Sequence, residues 1–205
     1  GSASAQNFLG FMYYRGLDVE QDYSEAIKWY GLAAEQGVSD ASFNLGTMYY
    51  KGEGVEQYYS EAFKWFSLAA DQGGAAAQEN LGGMYFYGEG VKQDYSEAFK
   101  WFSLAADQGS ASAQHFLGFM YYRGHDVEQD YSEAFKWFSL AADQGYAAAQ
   151  RDLGSLYRDG KGVKQDYSEA IKWHSLAADQ GSASAQNFLG FMYYRGLDVE
   201  QDYSE

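Results

Sequence analysis

Apolar residues recur at helical spacing in the first part of the chain. They fall at i, i+4, i+7 and i+8, in the order Ala5, Leu9, Met12 and Tyr13. One stripe of this kind is typical of an amphipathic helix that buries a single face. Gly16 follows at the place where a residue with positive φ ends many helices. The pattern therefore predicts a first helix that ends at Gly16.

A second helix is predicted from about Asp22 to Gln36, with Gly37 as its stop. Asp22 and Glu25 have the spacing of a helix cap and its third residue. Apolar side chains cover well over half of the helix circumference, because the only polar strip consists of Ser24, Lys28, Gly31 and Glu35. A helix that is apolar on two sides must be covered on two sides, by its own partner and by a further pair of helices. This requirement favours a solenoid.

The same two-helix pattern returns every 36 residues. The blocks are 1–36, 37–72, 73–108, 109–144 and 145–180, followed by a partial block at 181–205. Residues 1–25 and 181–205 are identical, and residues 109–133 differ from them only at His115 and His125. Repetition at such a period predicts one continuous solenoid domain over residues 1–205. The near-identity indicates either recent tandem duplication or deliberate repeat design.

These residues resemble the Sel1-like repeat family, a relative of the tetratricopeptide repeats. The resemblance is carried in each block by Leu9-Gly10-x-x-Tyr13, Gly16, Val19, Ala26, Trp29 and Ala33-Ala34 or their equivalents. It implies an all-α fold, a right-handed α/α superhelix of 36-residue helix-loop-helix repeats. The chain departs from the family in having no Pro, and its lack of Cys excludes the cysteine-rich branch.

Positions that hardly vary between the blocks are expected to form the core. They include Leu9, Tyr13 and Trp29, which lie on the predicted packing stripes, and Gly10, where a missing side chain lets two helices approach closely.

Charge and composition narrow the class of protein. With 14 basic and 29 acidic residues the formal net charge is −15, which disfavours nucleic acid and anionic lipid as partners. Aromatic residues make up 19% of the chain, far more than in a disordered acidic tail. No apolar run is long enough for membrane insertion. The chain begins with Gly, so we expect a mature fragment of a soluble protein that is cytoplasmic, or periplasmic or secreted after signal removal.

The sequence lacks the common catalytic and metal-binding motifs. The sequence contains no HExxH motif, phosphate-binding glycine loop or GxSxG motif. His115 falls on a variable face, His125 in a loop, and His174 where other blocks have Tyr or Phe. We expect His174 to be a half-buried spacer. The chain is therefore predicted not to be an enzyme and to bind no cofactor or metal.

Variation between the blocks gathers on one face of the first helix, opposite Leu9. All five arginines lie on this face, whereas the polar strip of the second helix uses only lysine. Since first helices line the concave surface of tetratricopeptide-like superhelices, the resemblance implies that this face lines a groove. Aromatic and arginine side chains are the composition of protein-binding hot spots. The candidate ligand-binding residues are Phe11, Tyr14, Arg15, Phe43, Tyr50, Lys51, Glu79, Tyr87, His115, Phe119, Tyr122, Arg123, Arg151, Arg158, Phe191 and Arg195.

The sequence thus favours a protein–protein interaction scaffold that binds a peptide or a partner surface on this concave face. The ligand would combine apolar or aromatic residues with Asp, Glu or a C-terminal carboxylate, which suit the arginine fork. Two alternatives stay open: binding of cell-wall glycan through the aromatic ladder, and a designed or idealised array without a natural ligand. The last block ends four residues into its second helix, which is too short to be helical alone. We therefore also expect end-to-end self-association through the apolar ends.

Overall fold

The computed structural model describes residues 1–195, and within this range all regular secondary structure is helical. The helices are α1 (Ala3–Arg15), α2 (Tyr23–Ala34), α3 (Ser39–Lys51), α4 (Tyr59–Asp71), α5 (Ala75–Tyr87), α6 (Tyr95–Asp107), α7 (Ala111–Arg123), α8 (Tyr131–Asp143), α9 (Ala147–Asp159), α10 (Tyr167–Asp179) and α11 (Ala183–Arg195). Odd numbers are first helices of a repeat and even numbers are second helices. The predicted all-α class and the two helices per block are confirmed. The stub predicted after residue 201 lies outside the described residues.

The chain divides into two compact units, Gly1–Gln108 and Gly109–Glu205. In the first unit each helix from α1 to α6 packs against the next, and α1 also touches α3. In the second unit the same succession of contacts runs from α7 to α11. Packing between neighbours in sequence is the arrangement of helical repeat proteins. A single solenoid over all 205 residues stays a prediction.

A glycine on the first helix faces an aromatic ring on the second helix. A Cβ atom on Gly46 would lie 2.7 Å from Cδ1 of Phe66, and one on Gly118 would lie 2.6 Å from Cδ1 of Phe138. Real side chains do not approach this closely, so only glycine lets the ring rest on the helix backbone. Both rings are buried, at 1% and 2% exposed. The close helix approach expected at Gly10 is thereby explained.

The predicted core position of Trp29 and its equivalents is corrected by the structure. Every one of these tryptophans is only partly buried, whereas the next residue along each helix, such as Phe66 after Trp65, is buried. One residue rotates a helix by about 100°, so the two neighbours face different surroundings. Phe66 points at its paired first helix, while Trp65 packs at the edge of the cluster around Ala41 and Leu45.

A pair of glutamines, one buried and one exposed, links the start of the first helix to the end of the second and was not predicted from the sequence. The amides of Gln108, Gln144 and Gln180 donate to the side-chain oxygens of Gln78, Gln114 and Gln150 at 2.7, 2.7 and 2.8 Å. Gln36 donates to Gln6 in the first repeat. Because the accepting glutamines are buried, these bonds satisfy polar groups that would otherwise be costly.

Four of the five second helices begin with the predicted aspartate cap. Asp22 accepts from the backbone N–H groups of Ser24 and Glu25 at 2.9 and 3.1 Å. The side chain of Glu25 does not return to the cap and instead pairs with Lys28 at 3.0 Å. Helix α4 has Tyr58 at the cap position and no side-chain cap.

Replacement of Phe66 by Ala is expected to cost about 3–5 kcal/mol of stability, because it leaves a cavity beneath Gly46. Trp65→Ala removes a larger side chain that is only partly buried, at the edge of the core, and is expected to cost less. Chemical denaturation of the two variants, followed by circular dichroism, compares them directly. An equal or larger loss for Trp65→Ala would contradict the assignment of the core to the position after the tryptophan.

Tyr58→Asp is expected to stabilise the protein by about 1 kcal/mol, because it supplies the missing cap of α4. The matched control is Asp94→Ala at the start of α6, which should lose a similar amount, since Asp94 accepts from the N–H of Glu97 at 3.0 Å. Thermal denaturation measures both. No gain from Tyr58→Asp, with the expected loss in the control, would show that Tyr58 stabilises α4 by other contacts.

Candidate functional site

Side chains of consecutive first helices in the second unit surround a recess of about 380 Å³, here named the arginine recess. It is lined by Phe119, Tyr122, Arg123, Arg151, Asp152, Ser155, Arg158 and Ser184. Five of these are candidates from the sequence, contributed by α7 and α9. The structure therefore brings together three of the chain's five arginines.

The three arginines differ in their pairing. Arg151 binds Asp152 at 2.8 Å, and Arg158 binds both carboxylate oxygens of Asp159 at 2.6 and 3.1 Å. The hydrogen bonds with Asp159 raise the pKa of Arg158 and lower the pKa of Asp159. Arg123 has no carboxylate partner within residues 1–195. Its guanidinium carbon instead lies 5.5 and 5.7 Å from the ring centres of Phe119 and Tyr122.

A second recess of about 460 Å³, here named the aromatic recess, lies between α9 and α11. It is lined by Arg158, Asp159, Gln165, Tyr167, Phe188, Phe191 and Met192. Arg158 thus belongs to both recesses, and its guanidinium carbon lies 5.6 Å from the ring centre of Phe188. Arg195 lies 5.5 Å from the ring centre of Phe191.

The first unit has a recess at the equivalent place between α1 and α3. This recess of about 270 Å³ is lined by Tyr14, Tyr30, Phe43, Asn44, Thr47, Met48 and Lys51. It contains no arginine, and its one charged residue, Lys51, lies 3.8 Å from Glu53. The two units therefore present different chemistry at the same repeat positions.

The predicted tyrosines of the variable face join one repeat to the next. The hydrogen bonds run from Tyr14 to Glu53 at 2.8 Å, from Tyr50 to Glu89 at 2.7 Å, and from Lys161 to Tyr122 at 3.0 Å. Burial, with the hydrogen bond to Glu53, raises the pKa of Tyr14 to about 12. The rings also pack on the tyrosine at the start of the second helix, as Tyr14 does on Tyr23 with centres 5.6 Å apart. The hydroxyl groups of these tyrosines therefore stabilise the contact between neighbouring repeats.

The other candidates fall into two groups. Phe43 and His115 are partly buried: Phe43 lies 5.8 Å from the ring of Phe66, and Nε2 of His115 lies 2.8 Å from Asp152. Phe11, Arg15, Glu79 and Tyr87 line none of the three recesses described above.

The candidate ligand-binding residues leave out the position that follows Phe43 and its equivalents, although a signal was present. In successive blocks it holds Phe8, Asn44, Asn80, Phe116, Asp152 and Phe188. Asp152 lines the arginine recess and Phe188 the aromatic recess. The variation of this position between blocks could have identified both residues.

His174 lies in the core next to Phe188, which lines the aromatic recess. It is 2% exposed rather than half-buried, and its ring lies 4.0 Å from the ring of Phe188. Neither ring nitrogen has a hydrogen-bond partner within the described residues. Burial, and then the charge of Arg158, lower the pKa of His174 to about 4. No group of three or more His, Cys, Asp or Glu able to hold a metal occurs within residues 1–195.

His174→Phe is expected to stabilise the protein at pH 7 by about 1–2 kcal/mol, because it removes buried, unpaired ring nitrogens. Phe is the residue at the equivalent positions of α4, α6 and α8. Protonation adds a pH dependence, since the histidine pKa falls from 6.5 to about 4 on folding. Between these values the unfolded chain binds more protons, so the native stability present above pH 6.5 decreases by about 3 kcal/mol as the pH falls to 4.

Chemical denaturation of the native chain and of His174→Phe between pH 7 and pH 4 measures this difference, because the carboxylates are common to both. The stability gap should widen as the pH falls. A constant gap would show that His174 becomes protonated in the folded protein without cost.

Helix pairs that stack on their neighbours and carry recesses between first helices define an α-solenoid repeat protein. The Sel1 repeat model matches residues 3–38, 39–74, 75–110, 111–146, 147–182 and 183–205. The chain belongs to the Sel1 repeat family, as the sequence predicted. Sel1 repeat proteins are in general non-catalytic scaffolds for protein interactions.

Solved structures agree with this assignment. A protective antigen of uropathogenic Escherichia coli strains is 40% identical, with a TM-score of 0.91, over 98% of this chain and 43% of the antigen. This chain therefore spans less than half of that protein. A Sel1 repeat protein of Oxalobacter formigenes is 34% identical, with a TM-score of 0.91, over 99% of this chain and 81% of the other.

An immunity protein of Pseudomonas aeruginosa is 26% identical, with a TM-score of 0.55, over 93% of this chain and 70% of the other. A search of curated proteins gave no match. Among the described residues no helix has the length and apolar character needed to cross a membrane.

Proposed function

We propose that this chain is a protein-binding module whose second unit holds an acidic group of a partner protein in the arginine recess. The observation that carries the proposal is Arg123, a guanidinium without a carboxylate partner among the described residues, in a chain with a net charge of −15. Arg151 and Arg158 lie in the same recess. This concentration of arginine in an acidic protein favours a carboxylate from a side chain or a C-terminus.

The aromatic side chains of the recess support the same proposal. Phe119 and Tyr122 lie within 6 Å of the Arg123 guanidinium and hold it against their rings. A guanidinium positioned in this way keeps its N–H groups available for a two-point bond to a carboxylate. An aliphatic or aromatic neighbour of the acidic residue could cover the ring edges, as in protein-binding hot spots.

Binding without catalysis is the accompanying proposal. In the arginine recess the hydroxyl of Ser155 donates to the carbonyl of Arg151 at 3.0 Å, and His115 is engaged with Asp152. Nδ1 of His115 is buried, so the ring has no free nitrogen at the surface to act as a base. These contacts support a scaffold with no chemistry of its own.

The contacts also favour a peptide over a glycan. Sugar rings stack on open aromatic faces, but Tyr14 and Tyr122 pack against Tyr23 and Tyr131, with centres 5.6 and 5.3 Å apart. Arg123 in turn lies against Phe119. A carboxylate would use Arg123 where it lies, whereas a sugar would have to displace it.

Selection of random displayed peptides on this chain tests the proposal. We expect a consensus that pairs an acidic with an apolar residue, and its loss in the double variant Phe119→Ala/Arg123→Ala. The matched control is Phe11→Ala/Arg15→Ala, which makes the same changes within residues 1–25, a segment that differs from residues 109–133 only at the positions of His115 and His125. The control should keep the consensus.

Binding of the chain to glycan arrays, with no enrichment of displayed peptides, would contradict the proposal. No enrichment of any kind, with the helical circular dichroism spectrum intact, would favour an array without a ligand. An equal loss of the peptide consensus in both double variants would show that the peptides bind outside the arginine recess.

A further inference from the structure

We infer that the ligand carries two anchors, an acidic residue for the arginine recess and an aromatic or large apolar residue for the aromatic recess, separated by about two residues. This inference rests on the proposed function and specifies the partner of the same surface. Its basis is that Arg158 lines both recesses, so they adjoin within the second unit.

The aromatic recess has an apolar floor. Phe188 and Met192 are 9% and 1% exposed, while Phe191 stands at its side with half of its surface open. The open ring of Phe191 and the edge of Phe188, which rest on the buried Met192, can make favourable contacts with an inserted aromatic side chain. The recess is also large enough for such a ring, at about 460 Å³.

The charged side chains of the two recesses indicate which peptide residue binds in which recess. Asp159 is the acidic residue at the edge of the aromatic recess, and the hydrogen bonds from Arg158 compensate its charge. Arg158 is thereby neutralised on this side and serves as a flat wall against Phe188. The unpaired guanidinium of Arg123 lies in the other recess. An acidic anchor therefore favours the arginine recess, and an uncharged anchor favours the aromatic recess.

The spacing follows from the repeat. The arginine recess is lined mostly by α7 and α9, with Ser184 of α11 at one side, and the aromatic recess is lined by α9, α11 and the residues Gln165 and Tyr167, so the two recesses adjoin and are offset by one repeat. Packed helices lie about 8–10 Å apart, and an extended peptide advances about 3.3 Å per residue. A peptide that crosses α9 therefore needs about three residue steps between its anchors, which leaves two residues in between.

Titration of short peptides tests the inference. The reference probe is an acetylated and amidated octapeptide with one glutamate and one phenylalanine separated by two alanines, and a second probe has the two anchors in reverse order. Further probes replace the glutamate by glutamine, replace the phenylalanine by alanine, or change the spacer to zero or five alanines. Fluorescence polarisation of labelled peptides gives each affinity.

We expect the better of the two orders to lose about tenfold in affinity when either anchor is removed or the spacer is changed. Phe191→Ala should weaken this peptide about tenfold and leave the alanine-substituted probe unchanged. Phe11→Ala is the control, because residues 1–25 and 181–205 are identical and lie beside different repeats. The control should have no effect.

Two outcomes separate this inference from the proposal on which it rests. If Arg123→Ala weakens binding but Phe191→Ala has no effect, or weakens both probes equally, the second anchor is wrong and the acidic site stands. If neither substitution affects any probe, both fail. Circular dichroism of each variant shows that the helices are retained, so a loss of affinity is not a loss of fold.

Discussion

The structure depends on one contact, the aromatic ring of each second helix resting on a glycine of its paired first helix. In the second and fourth repeats a single added Cβ atom would come within 2.7 Å of that ring. The pair is thereby fixed at close range, and its remaining apolar surface is left to the neighbouring pairs. The buried leucine and alanine clusters fill those contacts. A repeat that cannot bury its own faces is stable only in a stack, which is why the same pattern returns along the whole chain.

This core leaves the face of the first helices opposite Leu9 and its equivalents free to vary. Some of that variation still serves the fold, since the tyrosines of this surface donate to or accept from the loop of the next repeat. The rest creates differences between units that share one backbone plan. The second unit gathers Arg123, Arg151 and Arg158, whereas the equivalent recess of the first unit contains only Lys51 as a charged residue. In a chain of net charge −15 this contrast supports the proposal that the arginine recess binds acidic groups.

His174 connects a change of residue in the core to side chains at the proposed binding surface. It occupies the position of Phe66 and Phe138 and stacks on Phe188, which in turn lies beneath Arg158. Burial lowers the pKa of this histidine to about 4, so the ring stays neutral at neutral pH. The proposed binding surface therefore lies next to a core position whose ring nitrogens have no hydrogen-bond partner among the described residues, whereas the equivalent phenylalanines need none.

The sequence by itself determined the repeat and the helix pairs, because these follow from local periodicity, caps and stop glycines. The predicted end of the second helix near Gln36 lies just beyond its observed end at Ala34. The sequence also determined that glycine marks the close contact, and it predicted the three arginines that line one recess, Arg123, Arg151 and Arg158. Only the tertiary structure decided whether Trp65 or Phe66 fills the core. Both side chains are large and aromatic, and as adjacent residues they point about 100° apart around the helix. The tertiary structure alone showed that Tyr14 is engaged by Glu53 and that Asp152 and Phe188 complete the recesses. These contacts join residues of different repeats, and their distances depend on how the helices stack rather than on any local pattern.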